Sequence, residues 1–440
     1  MTENKIIQDL LQSVKLSKGF YVWMTFLTIS LFVCLYAYYL QLTTGLGVTG
    51  LKDYVSWGLY IANFVFFVAS SLVGMLISSV LGLSGQKWIT PIGRMAEIIA
   101  LAFAAVAGLV IVSDMGRPER LAYVFIHGRF QSPILWDVTV VTVYVIISLL
   151  LFYIPLIPDL SIAYKNRNDL PKWQKNLYKI LSLNWVGNDE QVHLLHKAIR
   201  ILLILVVPVA LAIHTVTSWL FAVTPRSGWS STIFGPYFVT GAFVTGVASV
   251  IISMYIFRNI YNLKDYIKDI HFDKIGKLLV LVSLVYLYFN INEFLVPSYR
   301  MPKHEAVHLH SLFTGSHAFM FWFVQLVGLV IPIILLLFKP FRKPFPLLII
   351  GILVFIGAWL KRYLIVIPTQ EHPFLPIQYV PENFTFYVPT ITEIAITLGS
   401  FVLVLMIISV LSKVFPLIPI HETLTERKQD ESTITKKDTQ

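Results

Sequence analysis

Cysteine is nearly absent: Cys34 is the sole cysteine in 440 residues. That excludes an intrachain disulfide, and also a four-thiolate iron–sulfur cluster held by this chain alone. Charge is scarce too, at 13% of residues against 56% hydrophobic. Soluble domains carry about a quarter charged residues, so a soluble globular chain is excluded. No short apolar region followed by a cleavage site opens the chain, so no removable signal peptide is expected. Deeply placed histidine is rare as well. Of eleven histidines, His214 alone falls far inside an apolar run, while His317 lies near the end of one. A membrane b-type haem needs two axial histidines at like depth, so no intrinsic haem is expected.

What the sequence does contain is long apolar runs. Ten approach the roughly 20 residues that a bilayer-spanning helix needs: 18–42, 54–83, 91–114, 133–157, 195–223, 233–257, 275–297, 314–338, 345–367 and 389–415. The expectation is an all-α integral membrane protein with ten transmembrane helices. Residues 1–17 read as an amphipathic, cytoplasmic N-terminus, 18–415 as the membrane domain and 416–440 as a polar cytoplasmic tail, disordered after Pro419. Of the 34 Lys and Arg residues, 24 lie in or beside the segments on the side of the N-terminus and 7 on the other. By the positive-inside rule both termini are cytoplasmic. The net charge of +10 is spread over these short loops and does not suggest nucleic acid. Pro208 and Pro332 predict kinks, tolerated where neighbouring helices satisfy the freed carbonyls. Ala69, Ser70, Ser71, Gly74, Gly241 and Gly246 suit close helix packing.

The chemistry concentrates around 91–137. Arg94 and Glu97 share a helix face at the cytoplasmic end of span three. Asp114 and Arg117 close that span on the outer side, and Asp137 lies about 6 Å into span four from the same side. His214 sits roughly 12 Å deep in span five, and Trp57 and Asn63 open span two. Ionisable groups in lipid are costly and by default functional. Asp or His here could take the protons of a hydroquinone while an aromatic side chain packs on its ring. The plainer alternative is that Asp114 and Asp137 cap helices or pair with Arg117, and that His214 is a satisfied buried histidine. A second outer cluster holds Glu293, Asn290, Asn292, His317, Lys361, Arg362 and Glu393. Arg362 is expected to pair with Glu293 or Glu393, as a structural ion pair or a proton route. With Arg94 and Glu97, these residues could bracket a proton path. His304-Glu305-Ala306-Val307-His308 fits the HExxH zinc pattern, but it falls in the 298–313 outer loop without a third ligand motif. A polar surface loop is the expectation there.

These residues carry a family resemblance. Trp57-Gly58, PxxRxxE (Pro91, Arg94, Glu97), Asp114-Met115-Gly116-Arg117-Pro118, Ser132 to Asp137, IHTVTSW (Ile213 to Trp219), the Thr232–Ala242 run and Gly357 to Pro368 together resemble the polysulfide reductase membrane-subunit (NrfD-like) family. The ten-helix count is similar to the branch with DsrP-type and alternative complex III subunits. The resemblance implies two four-helix bundles, spans 2–5 and 6–9, flanked by spans 1 and 10. It implies a menaquinone or ubiquinone site at the outer face of the first bundle, with Asp137 and His214 leading and Asp114 and Arg117 beside them; Trp57, Asn63 and Trp136 are expected to line the same pocket. It also implies an extracytoplasmic ferredoxin-like iron–sulfur partner, further catalytic or cytochrome subunits, and the inner membrane of a prokaryote. One departure is Leu220, where some relatives carry an acid after the IHTVTSW stretch.

The leading reading is a quinone-reactive membrane anchor of a respiratory oxidoreductase. The alternatives are a secondary transporter, which predicts inverted repeats and broken midplane helices, and a passive assembly subunit. An anchor should co-purify with iron–sulfur partners, whereas a transporter should purify alone.

Overall fold

The computed structural model describes residues 3–74, 77–79, 82–167, 170–372, 381 and 384–428. Every regular element among them is helical. Local sequence sets many helix ends. Helix α1 (Glu3–Leu11) precedes α2 (Lys18–Thr44), whose N-terminus is capped by Ser17: its Oγ accepts from Phe20 N–H at 3.2 Å. Helix α2 ends at Gly45, with φ of 88°, a conformation that glycine adopts without strain. Helix α3 is Leu59–Ser71; α4 (Thr90–Asp114) starts with proline in its first turn, as does α6 (Pro133–Tyr153), and the four-residue α5 (Tyr123–Ile126) lies between them. Short α7 (Leu156–Asn166) and α8 (Lys172–Leu181) lead to α9 (Asp189–Ala222), capped by Asn188. The second half comprises α10 (Phe234–Ile260), α11 (Asp269–Arg300), α12 (Lys303–Phe313), α13 (Ala318–Trp322), α14 (Ile331–Leu337), α15 (Pro344–Glu371) and α16 (Ile391–Val414).

Among the described residues nine helices are long and apolar enough to cross a membrane, and α3 is a shorter apolar helix of 13 residues. The single long run expected at 54–83 is therefore interrupted. Ser70 and Ser71 turn their hydroxyls onto the carbonyls of Phe66 and Val68, a bonding that competes with helix continuation. Ile77–Ser79 resume as a wider π-type turn; residues 75–76 and 80–81 lie outside the description. The expectation at Pro332 is also refined. The backbone relaxes into a π-helical stretch, Phe323–Val330, just ahead of it, rather than kinking at one point. Pro208 lies inside an α9 that remains one helix.

The helices group as two bundles. Helix α3 packs on α4, α4 on α6, and α6 on α9; α10 packs on α11 and α15, with the π-helical stretch and α14 closing the second group. Helix α10 also touches α3, α4 and α9, so it joins the two. Close approaches fix these contacts. A Cβ on Gly246 would lie 2.7 Å from the Val73 Cβ, and one on Gly357 only 2.6 Å from the Gly328 Cα. Small residues let helix backbones approach within lipid.

The first and last long helices, α2 and α16, lie together outside the bundles. A Cβ on Gly399 would stand 2.6 Å from the Cys34 Cβ, and Trp23 Nε1 donates to Ser409 Oγ at 3.0 Å. Lys413 Nζ donates to the carbonyls of Ser13 and Lys15, each at 3.0 Å. The opposite face of α2 is apolar and exposed, with Val22, Phe26, Ile29, Phe32 and Val33, as a lipid-facing surface should be.

The tail after Pro419 is not wholly without structure. Ile420–Lys428 are helical, while residues beyond 428 lie outside the description. The anchor is buried Asp159, which accepts the backbone N–H of Ile420 at 3.0 Å and of His421 at 2.7 Å. Arg94 Nη1 pairs with Asp159 at 2.5 Å and donates to the Pro416 carbonyl at 3.3 Å. Arg94, expected at one end of a proton path, thus holds a structural clamp.

Removing one partner of a buried ion pair costs about 3–5 kcal/mol, because the other charge is left uncompensated. Asp159→Ala is expected to lower stability by that order and to speed trypsin cleavage at Arg427 and Lys428. Unchanged proteolysis would show that the clamp does not hold the tail. Gly357→Ala should cost about 1–3 kcal/mol through overpacking against Gly328, read as a lower thermal midpoint of the detergent-purified protein.

Candidate functional site

Helices α6 and α9 run side by side in the first bundle, and their facing sides carry the expected pair. Asp137, 2% exposed, accepts a 2.5 Å hydrogen bond from Thr217 Oγ1. His214 is also 2% exposed. It precedes Thr217 by three residues and so occupies the same face of α9. Its Nε2 is buried without a hydrogen-bond partner. A buried polar atom left unpaired is costly and calls for an explanation. Trp136, next to Asp137 in sequence, and Trp219, two residues after Thr217, meet edge to face at 6.3 Å, and Trp136 Nε1 donates to the Phe130 carbonyl.

The other expected pocket residues divide. Trp57 lies against the end of α9: it stacks on Trp229 at 5.8 Å and meets Phe221 edge-on at 5.5 Å. Asn63 is committed elsewhere. Its Nδ2 donates to Thr397 Oγ1 and its Oδ1 accepts from Trp359 Nε1, both at 2.8 Å. Asn63 thus ties α3 to α15 and α16, and its amide is engaged at both ends. Asp114 stands beside Tyr60 and Glu393, toward the first and last helices, with Oδ1 buried and unpartnered. Arg117 is exposed.

The residues expected to form a proton path separate in the same way. Glu97 lies with Arg94, Glu422 and Glu426 around a cavity of about 420 Å³, and Ser78 hydrogen-bonds its carboxylate. Glu293 faces Ser231 and Lys361. Arg362 pairs with neither Glu293 nor Glu393. Its guanidinium lies 5.5 Å over the Phe238 ring and beside Tyr237 and Tyr286. Glu393 instead caps α16: it accepts from Thr390 N at 2.9 Å, Gly50 N at 2.8 Å and the Tyr387 hydroxyl at 2.7 Å. The signal for this was a capping box, threonine followed three residues later by glutamate.

The segment carrying the HExxH pattern is a helix, α12, and two of its polar residues are buried rather than on a surface loop. Glu305 is 9% and His308 4% exposed. The close approach of Gly228 explains part of this, since a Cβ there would lie 2.6 Å from His308 Nε2. Sequence reasoning also passed over Thr217, Gln370 and Trp229. Gln370 Nε2 donates to the Trp57 carbonyl at 2.7 Å while its Oε1 accepts Trp57 N–H at 2.9 Å. Nothing local in the sequence signals that clamp.

Two bundles of apolar helices with ionisable groups held between them define a polytopic membrane protein. Residues 47–373 match the family described as Polysulphide reductase, NrfD, and the chain belongs to that family. It is similar to a putative dimethyl sulfoxide reductase membrane subunit of Halobacterium salinarum, 29% identical over 73% of this chain and 70% of that one. It is similar to a selenate reductase subunit of Mesobacillus selenatarsenatis, 25% identical over 93% and 97%. A third relative is the Hdr-like menaquinol oxidoreductase integral membrane subunit of Archaeoglobus fulgidus, 25% identical over 87% and 90%.

His308 supplies a pH test of the α12 packing. Burial first, then the neighbouring His372, Lys361 and His317, push its pKa from 6.5 down to about 3. In the unfolded chain this histidine takes a proton near 6.5, and in the folded chain only near 3. Its share of stability is therefore complete above about 6.5 and is lost as pH falls toward 3. The thermal midpoint should drop on acidification through that window, and the drop should be shallower in His308→Gln. Parallel curves would remove His308 from the acid response.

Proposed function

We propose that this chain is the quinone-reactive membrane subunit of a respiratory oxidoreductase. It exchanges electrons between the quinone pool, menaquinone or ubiquinone, and a partner iron–sulfur subunit with further catalytic or cytochrome subunits. The observation that carries this reading is the Asp137–Thr217–His214 arrangement. An acidic proton acceptor and an unpartnered imidazole nitrogen lie on facing helices, with the Trp136–Trp219 pair close to them in sequence. A quinol presents two hydroxyl groups. His214 Nε2 can hold one by a hydrogen bond, while the Asp137 carboxylate, oriented by Thr217, takes a proton as the ring is oxidised. Apolar walls with a few converging polar groups suit such a ligand. The menaquinol oxidoreductase named among the relatives supports the same substrate class.

Orientation follows from charge. Lys and Arg crowd the side of the N-terminus, which the positive-inside rule assigns to the cytoplasm. The Lys413 contacts with Ser13 and Lys15 bring both terminal regions to one end, as an even number of crossings requires. Ten crossings fit if α3 and the residues after it form the second. The membrane is then the inner membrane of a prokaryote, with Asp114, Arg117 and Asp137 toward the outer side, where the iron–sulfur partner docks.

The test is binding and turnover. Quenching of hydroxyquinoline N-oxide fluorescence by the purified protein should saturate, and His214→Ala should weaken it about tenfold, the loss of one hydrogen bond to a buried group. Asp137→Asn in the intact complex should lower quinol turnover about a hundredfold or more, the usual contribution of a positioned general base, with assembly intact. Normal turnover in Asp137→Asn, or no saturable binding by the unaltered protein, would overturn the assignment.

A further inference from the structure

The second bundle holds three neighbouring cavities with shared wall residues that the quinone reading leaves unused. A cavity of about 370 Å³ opens between the α9–α10 loop, the last turns of α11 and the start of α12, with Glu293, Glu305, Ser231 and Arg300 in its wall. Glu293 and Glu305 also border a smaller void of about 30 Å³, together with His308, Tyr237 and Lys361. Lys361 in turn borders a third, of about 20 Å³, with Arg362, Tyr286, Asn290 and Gln325. Glu293 is therefore shared between the outer cavity and the middle void, and Lys361 between the middle void and the innermost one.

Two further observations single out this pair. Glu293 is 7% exposed, yet its Oε2 is buried with no hydrogen-bond partner, as are Glu305 Oε2 and His308 Nδ1 beside it. Lys361 is 4% exposed, with its ammonium 4.6 Å from the Phe294 ring centre, 5.5 Å from Tyr237 and 5.9 Å from Phe321. Arg362 follows it in sequence and stays charged under all ordinary conditions. Two basic side chains thus border one small buried void, and Glu293 is the carboxylate that acts on Lys361. Burying unbalanced charge is unfavourable. The strain is relieved by gain or loss of a proton on the members that can titrate, Glu293 and Lys361.

We propose that Glu293 and Lys361 form a proton-loading site in the second bundle, filled from the outer cavity past Glu305. A proton from cavity water protonates the Glu293 carboxylate and passes to the Lys361 amine, giving the ammonium; discharge reverses the two transfers. Only O–H and N–H bonds change, and one proton is gained or lost. The groups facing the pair are Tyr237 from α10, Tyr286 from α11, Glu305 and His308 from α12, and Arg362 from α15, with His317, Glu371 and His372 nearby. The α9–α10 loop links this site to the first bundle. Trp229 stacks on Trp57 and meets Phe221 edge-on at 5.0 Å, while Ser231 hydrogen-bonds Glu293 and Gly228 abuts His308. Proton binding at this site stands on these contacts alone; its coupling to turnover rests on the quinone reading.

The experiment has two arms, both on the intact complex. In pH-difference infrared spectra, the protonated-carboxyl stretch of Glu293 should vanish in Glu293→Gln and return in Glu293→Asp. In Lys361→Met, which removes the neighbouring cation, it should persist to higher pH. A band indifferent to all three changes overturns the site, whatever the complex does with quinol. In reconstituted vesicles with a pH-sensitive dye, turnover-driven proton movement should be lost in Glu293→Gln while quinol oxidation in detergent is retained. Unchanged proton movement overturns the coupling. Loss of quinol oxidation in detergent also overturns it, by assigning Glu293 to the quinone chemistry or to the fold.

Discussion

Inside a bilayer no water is available to rescue an unpaired polar group, so each must find its partner within the chain. The consequences are concentrated on α3, whose 13 residues are all buried. Asn63 joins α15 and α16 through Trp359 and Thr397. Gln370 grips the backbone of Trp57 just before the helix, and the Tyr387 hydroxyl accepts Leu59 N–H at its start. Tyr60 donates to Gln41, which in turn reaches the Ser113 carbonyl. Side-chain hydrogen bonds thereby tie this short helix to α2, α15 and α16, and its packing on α10 and α15 helps α10 hold the two bundles together.

Against that background the unsatisfied atoms carry information. His214 Nε2 belongs to the first bundle, and Glu293 Oε2, Glu305 Oε2 and His308 Nδ1 to the second. Other buried atoms are open as well, Asp114 Oδ1 and Arg94 Nε among them, so an open atom does not by itself mark a site. What sets these four apart is their place: His214 shares its α9 face with Thr217, the partner of Asp137, and the others border the cavities around Glu293, where a ligand or a proton can supply the missing partner for part of the time. Each bundle then has its own polar centre, and the loop carrying Trp229 and Ser231 touches both.

Much of this was legible in the sequence because lipid imposes a simple rule on composition. Runs of about 20 apolar residues announced nearly every long helix, and proline and serine marked where α4, α6 and α2 begin. That Asp137 and His214 lie on neighbouring helices followed from the order and depth of the spans. What escaped was of a different kind. The end of α3 falls where two hydroxyls bond back onto their own helix, and apolar counting does not register it. Asn63 was placed near the right end of its helix, but its bonds to Thr397 and Trp359 were not foreseen, because a single asparagine in an apolar run gives no azimuth. Glu393 was read as an ion-pair partner although its threonine neighbour three residues earlier marks it as a cap. The buried side of α12 depends on Gly228, distant in sequence, leaving room for an imidazole.

The pairing of α2 with α16 has a consequence for how the protein is made. The ribosome emits the chain from one end, so α2 enters the membrane long before its partner exists. Until residues 391–414 follow, its Cys34 side lacks the groove around Gly399, and the Lys413 contact that secures Ser13 and Lys15 cannot form. The first helix inserted is therefore among the last to complete its packing: a chain cut short before the final span can still hold it through Gln41 to Tyr60 and Ser113, but its Cys34 side stays uncovered. Quality control in the membrane has a ready signal for an unfinished product: a half-docked first helix.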